Sequence, residues 1–468
     1  MNEQRGPVVN NWFGDIQTRP RVVVKPTTVE EIVAVLRNPD KYPSPVRAVG
    51  SNHSVTRCTV ADGGTQIDMT AFTKIVQIGP DTVTAQAGAL YIDVAKELDK
   101  HNLQFYVNIE LGNLTIGSGA CCGTKDGSFP GEFGQVNAYV TGMKVITPAG
   151  DLIEVTEAKD PELMQALRSS YGLMGVVLEA TLRVCPVRPL IVENVRYSVD
   201  SFVDALPSLR QRGDAMMFYL NPYVGSTGNM IVELSKFGEA TDRPPSRLQW
   251  QLRNLVWKSL GPGFSHLCTS YISNPALRYA LVDNSLRLQQ WTAGFVVKGQ
   301  NTRASDQTIR YPHRGGMSKY TFSLWGFPEE AYGPILKAYV RFSRDHFKRT
   351  GYRNDVFDVG FRVGKDSKSL LSYTYDETRI TIDPVSTGAE GWNEYLVAYN
   401  QFCSEHGGAP LFNQTPFLTH PQVKKALGAR LDKFQEYRRR FDPHDRLLSP
   451  YFSELLGERV TVSAASPA

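Results

Sequence analysis

Ala48-Val49-Gly50-Ser51-Asn52-His53-Ser54 follows the extended run Pro45-Val46-Arg47 and breaks it with a small-residue turn ending in a histidine and a serine. Upstream, Val22-Val23-Val24-Lys25-Pro26 reads as a short strand stopped by proline, whose ring removes a backbone donor. Thr28-Val29-Glu30-Glu31 has the spacing of a capping box, and Val29, Ile32, Val33 and Leu36 follow at helical period. The first segment is therefore strand, helix, strand, then this turn. Asn11-Trp12-Phe13-Gly14 before it reads as an ordinary buried anchor.

Two further small-residue stretches come downstream. Gln66 to Met69, Ile75 to Ile78 and Thr82 to Ala87 read as strands, and Leu90 to His101 as a helix burying Leu90, Val94 and Leu98. Then comes Thr115-Ile116-Gly117-Ser118-Gly119-Ala120-Cys121-Cys122-Gly123-Thr124-Lys125-Asp126-Gly127-Ser128, read as a glycine loop. Glycines there remove the Cβ that would keep a ligand from the backbone, and their N–H groups can face acceptor oxygens. A hairpin over Val140 to Val155 turns at Gly150-Asp151, and a helix covers Asp160 to Ser169. The third stretch, Ser170-Tyr171-Gly172-Leu173-Met174-Gly175, enters the strand Val176 to Val184.

Near Pro186 the texture changes, which marks a boundary between lobes. Beyond it, mixed strands alternate with amphipathic helices such as Pro334 to Phe347. Gly238 to Ser246 reads as an exposed loop. Val423 to Phe441 reads as one charged helix whose end, Arg438-Arg439-Arg440, is solvated, because cations suit a helix C-terminus. Asp442 to Phe452 reads as a turn and a docked segment, and Val460 to Ala468 as a frayed end.

The bulk numbers exclude several classes. A chain of 468 residues with 41% hydrophobic and 21% charged residues buries a large core in two or more lobes. A net charge of +4, with no basic run interleaved with aromatics, argues against nucleic acid as a partner. Cys58, Cys121, Cys122, Cys185, Cys268 and Cys403 include no Cys-x-x-Cys pair, so neither a disulfide framework nor a metal site is expected. No apolar run is long enough for a membrane span, and the first 13 residues lack a signal-peptide core, so a cytoplasmic protein is expected.

None of the glycine stretches opens a helix as Gly-x-Gly-x-x-Gly, and none has the Walker pattern. Their order is what carries information. With Asn11-Trp12, Lys25 to Glu31, Val49 to Ser54, Thr115-Ile116-Gly117, Gly172 to Val177 and Asp442-Pro443, the chain resembles the vanillyl-alcohol oxidase class of flavoproteins, with an FAD-binding domain of the PCMH type. Within that class it is similar to the sugar-lactone and alditol oxidases. The resemblance implies an α+β protein: an FAD-binding domain over 1–187, a substrate (cap) domain with an antiparallel sheet over 188–412, and a segment returning to the FAD domain over 413–468. It implies FAD bound covalently through His53, with Val49, Gly50, Ser51, Asn52, Ser54, Thr115, Gly117, Gly119, Cys121, Cys122, Gly123, Gly127, Gly175 and Val177 around it. Some relatives add a cysteine link before the second motif. This chain has Gly112-Asn113-Leu114 there, so a single bond is expected, with Cys121 and Cys122 as small residues packed by the flavin.

The chain departs from the resemblance in the cap. A Glu-x-Arg pair is matched by Gly360-Phe361-Arg362, and a His-Trp-x-Lys segment by Leu411-Phe412-Asn413-Gln414. With those polar groups lost, and with Tyr320, Phe322, Trp325, Phe327, Tyr373 and Tyr375 nearby, a larger and less polar alcohol is expected. The reaction implied is hydride removal from a hydroxyl-bearing carbon to flavin, with O2 as acceptor. Arg362, Gln414, Asn413 and Tyr320 are the catalytic candidates, and Tyr320, Asp358 and Tyr375 the candidate bases. A dehydrogenase with a quinone or protein acceptor, and a non-catalytic flavin-binding protein, are the alternatives.

Overall fold

Strands joined through a helix can run parallel in one sheet, and those of the first segment do so on either side of a third. In the computed structural model, which describes residues 1–107, 109, 112–239, 247–296, 300–303 and 320–458, Val22–Lys25 and Val46–Val49 flank Thr65–Asp68 and both pair parallel with it. Asn2–Arg5 adds an antiparallel edge. The helix Val29–Arg37 between them buries Ile32, Val35 and Leu36. The Thr28 hydroxyl accepts from Glu31 N, as capping predicts. The Glu31 carboxylate, however, accepts from Thr27 N at 2.7 Å instead of closing the box on Thr28.

The second sheet is antiparallel: Ile75–Ile78 with Thr82–Gln86 and Val140–Ile146 with Leu152–Thr156 are two hairpins, and Val176–Pro186 joins them by pairing with one strand of each. Its order is Leu152–Thr156, Val140–Ile146, Val176–Pro186, Thr82–Gln86, Ile75–Ile78, with Leu103–Phe105 on the far end of the long central strand. The turn at Gly150 has φ +83°, which a Cβ would resist.

The third sheet has eight strands, all between Pro189 and Pro410, in the order Gln300–Arg303, Pro189–Ser198, Asn229–Phe237, Ala215–Asn221, Asp358–Val363, Arg379–Ile382, Trp325–Pro328, Ala409–Pro410. Strand alternation divides its faces. Phe218 and Leu220 pack with Phe202, Tyr332 and Leu336 of the helices Val199–Arg212 and Tyr332–Thr350. Met217, Tyr219, Ile231 and Phe361 face the other way, with Trp257 and with Cys268, Val282 and Leu286 of the helical segment that begins at Arg247. The chain end then returns to the first sheet. The Arg446 guanidinium donates to Val35 O and Leu36 O, and Leu447 O accepts from Arg47.

Three expectations change. The stretch from Thr115 is not all loop: Ile116–Cys121 is helical, capped by the Thr115 hydroxyl on Ser118 N. The helix expected over Val423 to Phe441 is two, His420–Leu427 and Ala429–Phe441, divided at Gly428, whose φ of 55° and ψ of −132° only glycine adopts readily. Arg438 is not a solvated helix end. It is buried between Asp445 and Glu458, while Arg439 beside it is exposed. Residues 240–246 of the expected loop after Gly238, and the expected frayed end over 460–468, lie outside the described residues.

Candidate active site

A cavity of about 1870 Å³, counting its open mouth, runs between the first two sheets and the inner face of the third. The opening turn forms one wall. Gly50 is required there because a Cβ would sit 2.3 Å from Thr115 Oγ1, so the turn closes directly on the second glycine stretch. Asn52 takes the left-handed conformation (φ 55°) that asparagine tolerates, held by its amide on Asn10 O and by the Thr59 hydroxyl on its Oδ1. This presents His53 to the cavity. Its ring lies 5.7 Å from that of Trp12, which is edge-on to Tyr320 at the same distance. Trp12 is thus the link between His53 and Tyr320, not the buried anchor expected.

The third stretch closes the wall behind. Gly175, at φ +154°, leaves no room for a side chain: a Cβ would lie 2.5 Å from Val145 Cγ1 and 2.7 Å from Ile146 O. Between these walls lies Arg47, which motif reading had passed over. It is buried, and its guanidinium donates to three carbonyls, those of Cys58, Leu447 and Tyr171. No carboxylate among the described residues lies within ion-pair distance of it, its guanidinium sits over the Phe452 ring, and it lines the cavity; burial lowers its pKa. A strand position that should alternate with apolar neighbours but carries arginine was the available signal.

The C-terminal side is stitched to the turn. Ser54 Oγ and Val55 N both donate to Asn413 O, and Thr56 Oγ1 donates to Phe412 O. Asn413 Nδ2 crosses to Gly123 O at 3.2 Å. Asn413 Oδ1 and Gln414 Oε1 are buried and have no hydrogen-bond partner among the described residues, although both residues line the cavity. Acceptors are rarely left so, since an unmade buried hydrogen bond costs about 1–3 kcal/mol.

Two charged residues were missed altogether. Lys125 forms a buried ion pair with Asp383, and its Nζ lies over the rings of Phe322 and Phe361. Both members line the cavity, beside Tyr219, Trp257, Phe357, Val359 and Val385 from the cap. Nothing in the local sequence pairs positions 125 and 383; only the sheet brings them together.

Of the expected cofactor residues, Val49, Gly50, Asn52, His53, Ser54, Thr115, Gly117, Cys121, Cys122, Gly123, Gly175 and Val177 line this one cavity, as do Tyr320, Asn413 and Gln414. Cys122 holds the Cys121 thiol below its ordinary range by hydrogen bonding, and is itself pushed up. Ser51 is buried behind the turn, Gly119 packs on Val136, and Gly127 lies against Met216. The structure does not bring Arg362 to the cavity. On its strand it faces away from Phe361, and its guanidinium is held by Glu329. Gly360 shares that outer face, where a Cβ would strike Phe218, so a carboxylate there would not reach the cavity either. Asp358 is buried against Tyr339 and Asn354, and Tyr375 lies under Arg430; neither lines the cavity.

The residues fit a dinucleotide flavin. Glycine-lined walls, a buried cation with no carboxylate in ion-pair contact among the described residues and two unmet acceptors are the features such a ligand would use. A family model described as an FAD binding domain matches residues 20–156. The L-gulono-1,4-lactone dehydrogenase of Mycobacterium tuberculosis is 22% identical over 96% of this chain and 99% of its own. The L-gulonolactone oxidase of Mus musculus is 23% identical over 96% and 98%. Among solved structures, a cholesterol oxidase from Brevibacterium sterolicum superposes with a TM-score of 0.77, at 14% identity over 97% of both chains, which speaks for the fold. The chain is an FAD-linked oxidoreductase with a PCMH-type FAD-binding domain. Its resemblance to the sugar-lactone oxidases, read from the motifs, is shown by these relatives along nearly its whole length.

Proposed function

We propose that the chain oxidises a hydroxyl-bearing carbon of a lactone or a larger, less polar alcohol, with FAD joined covalently to His53 and O2 as acceptor. The observation that carries this reading is the single cavity shared by His53, Gln414 and the Lys125–Asp383 pair. When bound, FAD supplies the redox chemistry, taking the hydride from the carbinol carbon. Arg47 would balance the negative charge of the diphosphate, and Gly172, whose Cβ position is nearly open, would allow close approach of the ligand to the backbone. Asn413 and Gln414 accept hydrogen bonds from cofactor or substrate. Asp383, ionised beside Lys125, would take the hydroxyl proton and become the neutral acid as the hydride leaves the carbinol carbon, while the Tyr320 hydroxyl in the same space would hydrogen-bond the substrate oxygen.

Relatives named as lactone enzymes favour a lactone, and the aromatic cap lining of Tyr219, Trp257, Phe322 and Phe357 favours added apolar bulk. The test is anaerobic mixing of the flavin-loaded protein with sugars, lactones, sterols and aromatic alcohols, followed by admission of air. Bleaching by a lactone or an apolar alcohol, with reoxidation and oxygen uptake, is expected. No bleaching by any of these would overturn the activity, and bleaching without oxygen uptake would overturn the acceptor.

A further inference from the structure

The cap carries an apolar surface that the reaction does not use. Leu248, Leu252, Leu255, Leu260, Phe264, Leu267 and Tyr271 are all exposed, Leu248 at 66% and Tyr271 at 79%. They lie on Arg247–Asn254, Leu255–Leu260 and Gly261–Tyr271, which run on as one helix, since Asn254, Leu260 and Gly261 all keep right-handed helical geometry. At about 100° per residue the step from Leu255 to Leu260 would carry the stripe off its face. The π turn over Leu255–Leu260 adds a residue to that turn and restores the register. The opposite face carries Trp250, Ser265 and Cys268, all buried, and Trp257 and Pro262, which line the cavity. The next helix, Pro275–Val296, continues the pattern with Leu277, Leu288 and Trp291 exposed, while Gln289 lines the cavity.

Charge selects the occupant. The chain has 47 Asp and Glu in 468 residues, about one in ten, yet Arg247 to Val296 contains one, Asp283, and it is held by Arg353. The same 50 positions hold Arg247, Arg253, Lys258, Arg278 and Arg287. Arg253 is spent inward on Glu233, and Arg287 is exposed beside Leu288. A second copy of this face would set Arg287 against a surface with no acidic side chain free to pair with it. An anionic lipid surface would take both the leucines and Arg287, since an arginine stem can lie on apolar surface while its head reaches phosphate.

We propose that the helical stripe from Leu248 to Tyr271, with Leu288 and Arg287 beside it, docks the protein on the surface of an anionic bilayer, with its inner face forming part of the cavity wall. The proposal is independent of which alcohol is oxidised. It requires no spanning helix, and none of the described helices is long and apolar enough to cross a membrane.

The test is flotation of the full-length, flavin-loaded protein with vesicles of phosphatidylcholine alone or with one third phosphatidylglycerol. The protein should float with the anionic vesicles and be released at least tenfold by 0.5 M salt or by the triple variant Leu252→Gln, Leu267→Gln, Tyr271→Ser. Val397→Gln, at an exposed apolar site on another helix, should float as the parent does. Retained flavin absorbance and melting temperature check that the triple variant is folded. Should it not be, quenching of tryptophan fluorescence by brominated anionic lipid, lost in Trp291→Phe, reads the same contact. Failure of the parent to float, equal binding by a folded triple variant, or a dimer that the triple variant splits without any vesicle binding would each overturn the proposal.

Discussion

Lys125 and Asp383 meet across 258 residues of sequence to form an ion pair in the wall of the cavity, with the Lys125 ammonium over Phe322 and Phe361. Side-chain exposure is 10% for the lysine and 1% for the aspartate, so the pair is held out of water. Removing one member of such a pair strands the other, at a cost of about 3–5 kcal/mol.

Lys125→Met is therefore expected to lower stability by about 3 kcal/mol, read from the urea midpoint of the flavin-loaded protein at constant m-value. Lys125→Arg should recover most of it, since Asp383 keeps a cation. Under the proposed reaction Lys125→Met also slows anaerobic flavin reduction by substrate. A midpoint unchanged in Lys125→Met would show that the pair is not held as described.

His53 is placed at the cavity wall by Gly50 and Asn52 and backed by Trp12. If it carries the flavin, acid precipitation should leave a yellow pellet, and His53→Ala should give a colourless one with FAD in the supernatant. The variant should still bind FAD, because Arg47 and the glycine walls are intact, but reduce more slowly. Free flavin from the unaltered protein after acid treatment would sink the bond.

The first sheet, its helix and the glycine walls were legible because each rests on local chemistry: a cap at Thr28, a period in Val29 to Leu36, and positions where a Cβ has no room. Gln414 and Asn413 were found through a gapped match in sequence, and the structure brings them to the His53 turn. Arg362 failed because strand parity was not used. Val359 lines the cavity and Phe361 lies under Lys125 on the same side of the strand, so the residues at 360 and 362 must face away. The Lys125–Asp383 pair and the Trp257–Phe357 wall arise from contacts over 100 residues or more, which no local pattern encodes. The outer stripe from Leu248 was also missed, because apolar residues at helical spacing read as core until burial shows which face is inside.

Gly175 is a position where substitution has a fixed geometric penalty. Gly175→Ala would place a methyl against Val145 and Ile146 O at a φ of +154°. The expected loss is about 2–3 kcal/mol from backbone strain, with FAD released at lower denaturant concentration. Gly131→Ala offers a control, since that glycine also has positive φ but has nothing within 4 Å of a Cβ. Equal losses at both would attribute the effect to φ alone; a greater loss at Gly175 is expected.

Asp358 gives the molecule a pH dependence whose sign can be worked out. Burial raises its pKa to about 7, against the hydrogen bonds from Tyr339 and Asn354 that favour the ionised form. The unfolded chain has the ordinary value near 3.8. Between these two the native state binds the extra proton, so stability is fully present below about pH 4, falls as pH rises towards 7, and levels off above. Asp366, raised to about 6 by burial, adds a fall of the same sign over a narrower window. Asp358→Asn keeps an acceptor for the Tyr339 hydroxyl and removes the proton. It should therefore flatten the decline in melting temperature between pH 4 and 7, with a gain on the order of 3 kcal/mol at pH 8 relative to pH 4 when compared with the parent. A variant whose melting temperature falls across that window as steeply as the parent's would show that Asp358 is ionised in the folded protein.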